Sequence, residues 1–181
     1  MADKGQTWIV RAERAVLNGF AVLVVALMLC IALQVFANYL DINPLLSFES
    51  RVFWFGSAVS LNSLLDLQWH ILAVIALLPA GLVLLRDRHV RVDFLYDRYP
   101  PQGRSALDLA GNVIFAAPFL VMAIPGSVRF WERAWRSDEG SASGGLNDLW
   151  LIKLVLPLGL SLLAVAVLWE SLRLIRGLLR R

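Results

Sequence analysis

The chain has 181 residues, of which 59% are hydrophobic and only 17% are charged, and its mean hydropathy is +0.66. A soluble domain carries roughly 25% charged residues, so the composition excludes an ordinary soluble protein and indicates a membrane protein. The net charge of +3 comes from 17 Lys and Arg against 14 Asp and Glu, and the basic residues lie beside apolar runs instead of forming the basic stripe of a nucleic-acid-binding protein.

Four apolar stretches are long enough to cross a bilayer, which takes about 20 mostly apolar residues. They predict an all-α integral membrane protein with spans over about residues 15–40, 66–86, 105–128 and 150–172. Arg11 and Arg14 precede the first stretch, as basic residues precede a signal peptide. Its length exceeds the roughly 7–15 apolar residues of such a peptide, so we expect an uncleaved first span.

The segment between the first two spans predicts an interfacial amphipathic arm helix over about residues 44–60. Asn43 and Pro44 form a helix start signal, with Pro at the first helical position. A 3,4,3,4 spacing places five apolar residues on one helix face, namely Leu45, Phe48, Val52, Phe55 and Val59. The alternative is that the residues from Val52 onward extend the second span.

The distribution of Lys and Arg predicts the orientation. They concentrate in the N-terminal segment, in the loop after the second span and at the C-terminus, so we expect both termini in the cytoplasm. The loop over about residues 129–149 then faces the periplasm. Its charged, aromatic first part is a candidate continuation of the third helix beyond Pro125, and residues 137–145 are expected to form a flexible turn. No separate extramembrane segment is evident, so we expect a single membrane domain over residues 1–181.

The spans carry almost no residues suited to chemistry. No Asp, Glu, Lys or Arg lies near a span centre, although such residues mark ion and substrate pathways in membranes. His70 and His89 are too far apart along the chain to share a haem, and the phosphate-binding Gly-Lys-Ser/Thr loop is absent. Cys30 is the one cysteine, so a thiolate metal cage is excluded. We therefore expect neither an enzyme nor a cofactor or metal site.

The remaining interpretation is a membrane scaffold that packs against a partner. A carrier in its own right needs paired repeats and broken helices that bind substrate at the midplane, and one Pro79-Ala80-Gly81 break does not supply them. The alternative is a stand-alone small membrane protein, such as a homo-oligomeric channel or an assembly factor. A membrane redox enzyme is a third class, which a bound chromophore would reveal.

Three patches of the sequence resemble a known family. They are Leu67-Gln68-Trp69-His70, the loop Asp87-Arg88-His89-Val90-Arg91-Val92-Asp93, and Ile152-Lys153-Leu154-Val155-Leu156-Pro157-Leu158-Gly159. Together with the plan of four helices and an arm, they are similar to the small membrane subunit (DctQ-type) of TRAP (tripartite ATP-independent periplasmic) transporters.

The resemblance implies a non-catalytic subunit in a bacterial inner membrane that braces a large, elevator-type permease subunit. In that family the large subunit holds the sodium and substrate sites, and a periplasmic solute-binding protein delivers the substrate, typically an organic acid. The implied function is therefore a part in sodium-coupled symport.

The candidate contact residues lie at the edges of the spans. Arg88, His89, Arg91 and Asp93 are expected at the cytoplasmic edge, where the basic groups pair with a partner, anchor to lipid phosphates or simply set the orientation. Asp66 and His70 share a helix face and either contact the partner or the binding protein, or act as a helix-start carboxylate with a polar neighbour. The full set of candidate partner or lipid contacts is Phe48, Val52, Phe55, Asp66, His70, Arg88, His89, Arg91 and Asp93.

Overall fold

A computed structural model describes residues 3–86 and 98–179. Within these residues, four helical segments are long and apolar enough to cross a membrane, which confirms four candidate spans. They cover Arg14–Tyr39, Leu61–Leu85, Gly103–Arg136 and Trp150–Leu179. The second begins before the predicted residue 66, and the third continues beyond Pro125 to Arg136. By Cα proximity the chain divides into two compact units, Met1–Ile75 with Asp138–Leu149, and Ala76–Ser137 with Trp150–Arg181.

In the first unit, helix α1 (Asp3–Tyr39) packs against helix α2 (Leu61–Leu77). The two helices are joined by a hydrogen bond of 2.5 Å from Gln68 Nε2 to Gln34 Oε1. One turn further, the thiol of Cys30 donates to the carbonyl of Leu64 at 3.5 Å. Polar side chains in hydrocarbon need internal partners of this kind, and the pairing places both glutamines in the interface between the two helices.

The arm helix predicted over residues 44–60 is wrong, because these residues form a β-hairpin. Strand β1 (Leu46–Val52) pairs antiparallel with β2 (Gly56–Val59), with Leu46 opposite Val59. Trp54 has φ +71° and Gly56 has φ +70°, values that a right-handed helix does not allow. Six of the fourteen residues over 46–59 are aromatic or β-branched, and such residues suit a strand as well as a helix face. The alternative of a second span extended back to Val52 is also wrong, because α2 starts at Leu61.

The start of α2 is capped by two serines. The N–H of Ser63 donates to Ser60 Oγ at 3.2 Å, and the N–H of Ser60 donates to Ser63 Oγ at 3.1 Å. These reciprocal bonds reproduce the capping box, with Ser in the place usually taken by Glu or Gln. The capping box therefore starts α2 five residues earlier than the apolar pattern alone predicts.

The second unit contains the shorter helices α3 (Ala80–Leu85) and α4 (Pro101–Gly111), a π-helical turn (Asn112–Ala116), and the long helices α5 (Ala117–Arg136) and α6 (Trp150–Leu179). Its buried core consists of Leu120, Leu160 and Val167. Asn112 Nδ2 donates to Ser171 Oγ at 3.1 Å and so links the π-helical turn to α6. Trp135 and Trp150 meet edge to face at 4.3 Å between ring centroids.

Candidate interaction surface

Two carboxylates fix the loop that follows α5 against the hairpin and α2. Asp66 Oδ2, on α2, accepts the N–H of Leu146 at 3.0 Å. Asp148 Oδ2 accepts the N–H of Trp54 at 3.2 Å, and the N–H of Asn147 donates to the carbonyl of Trp54 at 2.7 Å. Hydrogen bonds to ionised acceptors are stronger than neutral ones, so the loop and the hairpin turn hold each other in place. We call the assembly of residues 43–70 and 138–149 the cap.

The serine- and glycine-rich part of the loop is also bonded, although the sequence predicts a flexible turn there. Asn62 Nδ2 donates to the carbonyl of Ser143 at 2.6 Å, and Ser60 Oγ donates to the carbonyl of Gly144 at 3.2 Å. Leu146, between these bonds and Asp148, is fully buried. The loop is therefore an ordered part of the first unit.

His70 and Trp54 lie beneath this loop with buried polar atoms. His70 is 8% exposed, and its Nδ1 lies 2.5 Å from the carbonyl oxygen of Asp66. A carbonyl only accepts, so Nδ1 donates a proton in this bond. Within the described part of the chain, His70 Nε2 and the Nε1–H of Trp54 have no partner, and the two ring centroids lie 6.0 Å apart.

The exposed side chains of the cap include one ion pair and two large aromatic residues. Arg51 pairs with Asp138 at 3.5 Å, with side chains 60% and 66% exposed, so this pair contributes little to stability. Phe53, in the hairpin turn, and Trp69, on α2, are exposed aromatic residues. Large exposed aromatic side chains of this kind are typical anchors of protein interfaces.

The structure separates the predicted contact residues of the arm. Phe48 is half-buried on β1, Val52 is exposed at the end of the same strand, and Phe55 is half-buried in the turn. The rings of Phe55 and Trp54 lie 5.6 Å apart. These three side chains do not form the single helix face that the spacing predicts, because the backbone is a hairpin.

Asp66 and His70 do lie close together, as their spacing predicts, and both are engaged within the chain. Asp66 lies in the second turn of α2 and bonds to Leu146, so it is not a helix-start carboxylate. The predicted loop residues Arg88, His89, Arg91 and Asp93 lie outside the described residues.

Sequence analysis missed Asp148, Asn62 and Trp54 as organising residues of the cap. Asp148 has φ +55°, a conformation that Asn and Asp tolerate better than other residues, and the Asn147-Asp148 dipeptide is a recognisable turn signal. No local signal indicates that this turn binds a hairpin more than ninety residues earlier in the chain. In the part of the chain that the structure describes, no group of three His, Cys, Asp or Glu residues is placed to hold a metal ion.

Comparison with known proteins identifies a family. The family model of the DctQ component of tripartite ATP-independent periplasmic transporters matches residues 27–177. The match includes the cap, the second and third candidate spans, and all but the last two residues of the fourth. A search of curated proteins finds no match to the chain.

Proposed function

Because the chain belongs to the DctQ family and is thus a small membrane subunit of a TRAP transporter, we propose that it is the non-catalytic brace of a large, elevator-type permease subunit. The complex takes up an organic acid by sodium symport and receives it from a periplasmic solute-binding protein. The chain lies in a bacterial inner membrane with both termini in the cytoplasm, and the cap then faces the periplasm.

The brace proposal rests on the hydrogen bonds that amide side chains in the spans make within this chain. Gln34 bonds to Gln68, and Asn112 bonds to Ser171, so these three amide groups join helices of this chain. No Asp, Glu, Lys or Arg side chain lies near a span centre. A sodium or substrate site needs free oxygen ligands or charged groups, and we assign those sites to the large subunit.

The proposal of a partner rests on the exposed apolar surface of α1. Val22, Met28 and Phe36 are each more than half exposed in a span of mean hydropathy 2.8. These side chains suit packing against lipid or the helices of a second membrane protein. An interface along α1 with the large subunit would hold that subunit's fixed part while its transport part moves.

A further part of the proposal concerns the cap. Its backbone is held by the carboxylates of Asp66 and Asp148, and its outer side offers Phe53 and Trp69. Ordered loops with exposed aromatic residues bind partners at low entropic cost. We assign the cap to contact with the large subunit or the docked solute-binding protein.

Co-purification tests the proposal. The tagged chain is expressed together with the membrane and secreted proteins encoded by adjacent genes. It is then extracted in mild detergent, and the proteins that co-purify are identified by mass spectrometry. We expect a stoichiometric multi-span partner, and sodium-dependent uptake of an organic acid in proteoliposomes only when both membrane subunits are present. A well-folded homo-oligomer without a partner would contradict the brace and favour the channel or assembly factor.

A further inference from the structure

A groove on the second unit lies between α3 and α6 and is lined by apolar residues. It has a volume of about 390 Å³ and is lined by Gly81, Leu82 and Leu85 on one side and by Val165, Ala166 and Trp169 on the other. This volume lies within the roughly 300–1,000 Å³ of typical small-molecule pockets. Val165 and Trp169 are 67% and 63% exposed, so the groove is open to the surroundings of the helices.

At one point of the groove, Gly81 allows the two helices to approach closely. A Cβ atom at this position would lie 2.8 Å from the carbonyl oxygen of Leu162 and 3.2 Å from Cβ of Ala166. Small residues permit such close crossings of membrane helices. Beyond the crossing, the larger side chains of Leu85 and Trp169 line the two walls of the groove.

The same face of α6 becomes basic immediately past the groove. Trp169, Arg173 and Arg176 follow one another at helical spacing, and all three line a second cavity of about 330 Å³. Arg173 pairs with Glu170 at 3.6 Å and is 72% exposed, whereas Arg176 has no ion-pair partner within the described part of the chain. An apolar cavity and a basic cavity therefore meet at Trp169.

We propose that this site binds one anionic phospholipid, with an acyl chain in the groove and the phosphate at Arg173 and Arg176. The chemistry of the lipid matches the order of the surfaces along α6, because guanidinium groups bind phosphate oxygens strongly and the hydrocarbon chain requires an apolar wall. Trp169, at the junction, suits the boundary between hydrocarbon and headgroups. The site does not depend on which transported substrate or coupling ion the complex uses.

Native mass spectrometry of the full chain with its co-purified partner tests the site. After delipidation, equimolar phosphatidylglycerol or phosphatidylcholine is added, and the lipid retained per chain is measured. We expect one phosphatidylglycerol to be retained in preference to phosphatidylcholine. Inorganic phosphate at millimolar concentration should not displace it, because phosphate alone cannot occupy the groove.

Four variants separate the contribution of the two arginines from that of the groove. Arg173→Gln with Arg176→Gln should weaken phosphatidylglycerol binding by about 30-fold, from the usual contribution of a basic residue near a lipid surface. Arg176→Gln alone should have a larger effect than Arg173→Gln alone, since Glu170 already offsets Arg173. Val165→Trp, which fills the groove, should lower retention of both lipids.

The matched control is Arg129→Gln with Arg136→Gln on α5. It removes the same charge, and Arg136, like Arg173, pairs with a glutamate of its own helix, Glu132 at 4.0 Å. The control should retain phosphatidylglycerol as the unmodified chain does. Equal retention of the two lipids by the unmodified chain would overturn the proposal, as would equal losses in the control and the Arg173 and Arg176 variant. Displacement by inorganic phosphate, or a helix of the partner cross-linked into the groove, would also overturn it.

Discussion

Removal of the Asp66 carboxylate should release the loop that follows α5. Asp66 Oδ2 accepts the N–H of Leu146 at 3.0 Å, and Leu146 is fully buried. A hydrogen bond to a charged group contributes about 1.5–3 kcal/mol, and an N–H left unsatisfied costs a similar amount. Asp66→Ala should therefore shift the local opening of the loop by about 2 kcal/mol, which is about 30-fold in the open population.

Limited proteolysis with a glutamate-specific protease measures this opening. The loop contains Glu139, whose carbonyl accepts the N–H of Leu149, so cleavage after it requires the loop to detach. Cleavage follows the open population when opening and closing are fast compared with cleavage. We expect about a 30-fold faster cut in Asp66→Ala. Asp66→Asn should give an intermediate rate, since it keeps a neutral acceptor.

Arg51→Gln is the matched control because it removes another bond to the same loop. Its pair with Asp138 is exposed on both sides, so its loss should cost no more than about 1 kcal/mol. The cleavage rate should rise no more than about fivefold. The reasoning is refuted if Asp66→Ala cleaves at the rate of the unmodified chain, or if Arg51→Gln accelerates cleavage as much as Asp66→Ala.

Three other substitutions test the packing of the loop, the capping box of α2 and the hydrogen bond between the π-helical turn and α6. Leu146→Ala should cost about 2–5 kcal/mol, as for other fully buried leucines, and lower the midpoint of thermal unfolding followed by tryptophan fluorescence. Ser60→Ala, which removes the bond from the Ser63 N–H to Ser60 Oγ and the bond from Ser60 Oγ to Gly144, should cost about 0.5–2 kcal/mol and increase hydrogen exchange at the start of α2; unchanged exchange there would contradict the capping box. Asn112→Leu, which removes the bond to Ser171, should cost about 0.6–1.7 kcal/mol in detergent unfolding, and a gain in stability would show that the bond is not favourable.

The four spans could be predicted from the sequence because their signal is local. Each is a continuous apolar run whose length matches a bilayer, and the structure places helices over all four. The start of the second was misplaced because its first turns carry Asn62 and Asp66, which lower the hydropathy of a segment that is nevertheless helical. The capping box formed by Ser60 and Ser63 is the local signal that marks the true start of α2.

The hairpin could not be predicted because its stability depends on a distant part of the chain. Its apolar residues fit one face of a helix, and Pro44 fits a helix start, so local patterns favour the wrong structure. The N–H and the carbonyl of Trp54 bond to Asp148 and Asn147, a dipeptide whose local sequence indicates only a turn. Tertiary partners of this kind regularly override local propensity.

The hydrogen-bonded amide side chains in the spans stabilise the packing of this chain's helices and are poorly placed to form a substrate site. A polar side chain in hydrocarbon must find a partner, and here Gln34 and Asn112 find theirs on other helices of the same chain. An amide held in this way is poorly placed to bind and release a substrate, because its donor would have to leave one partner for another at membrane depth. Substitution of either amide should therefore reduce helix packing and assembly of the complex, while the substrate preference of the assembled transporter should stay the same. A changed preference in uptake assays would contradict the assignment of the substrate site to the large subunit.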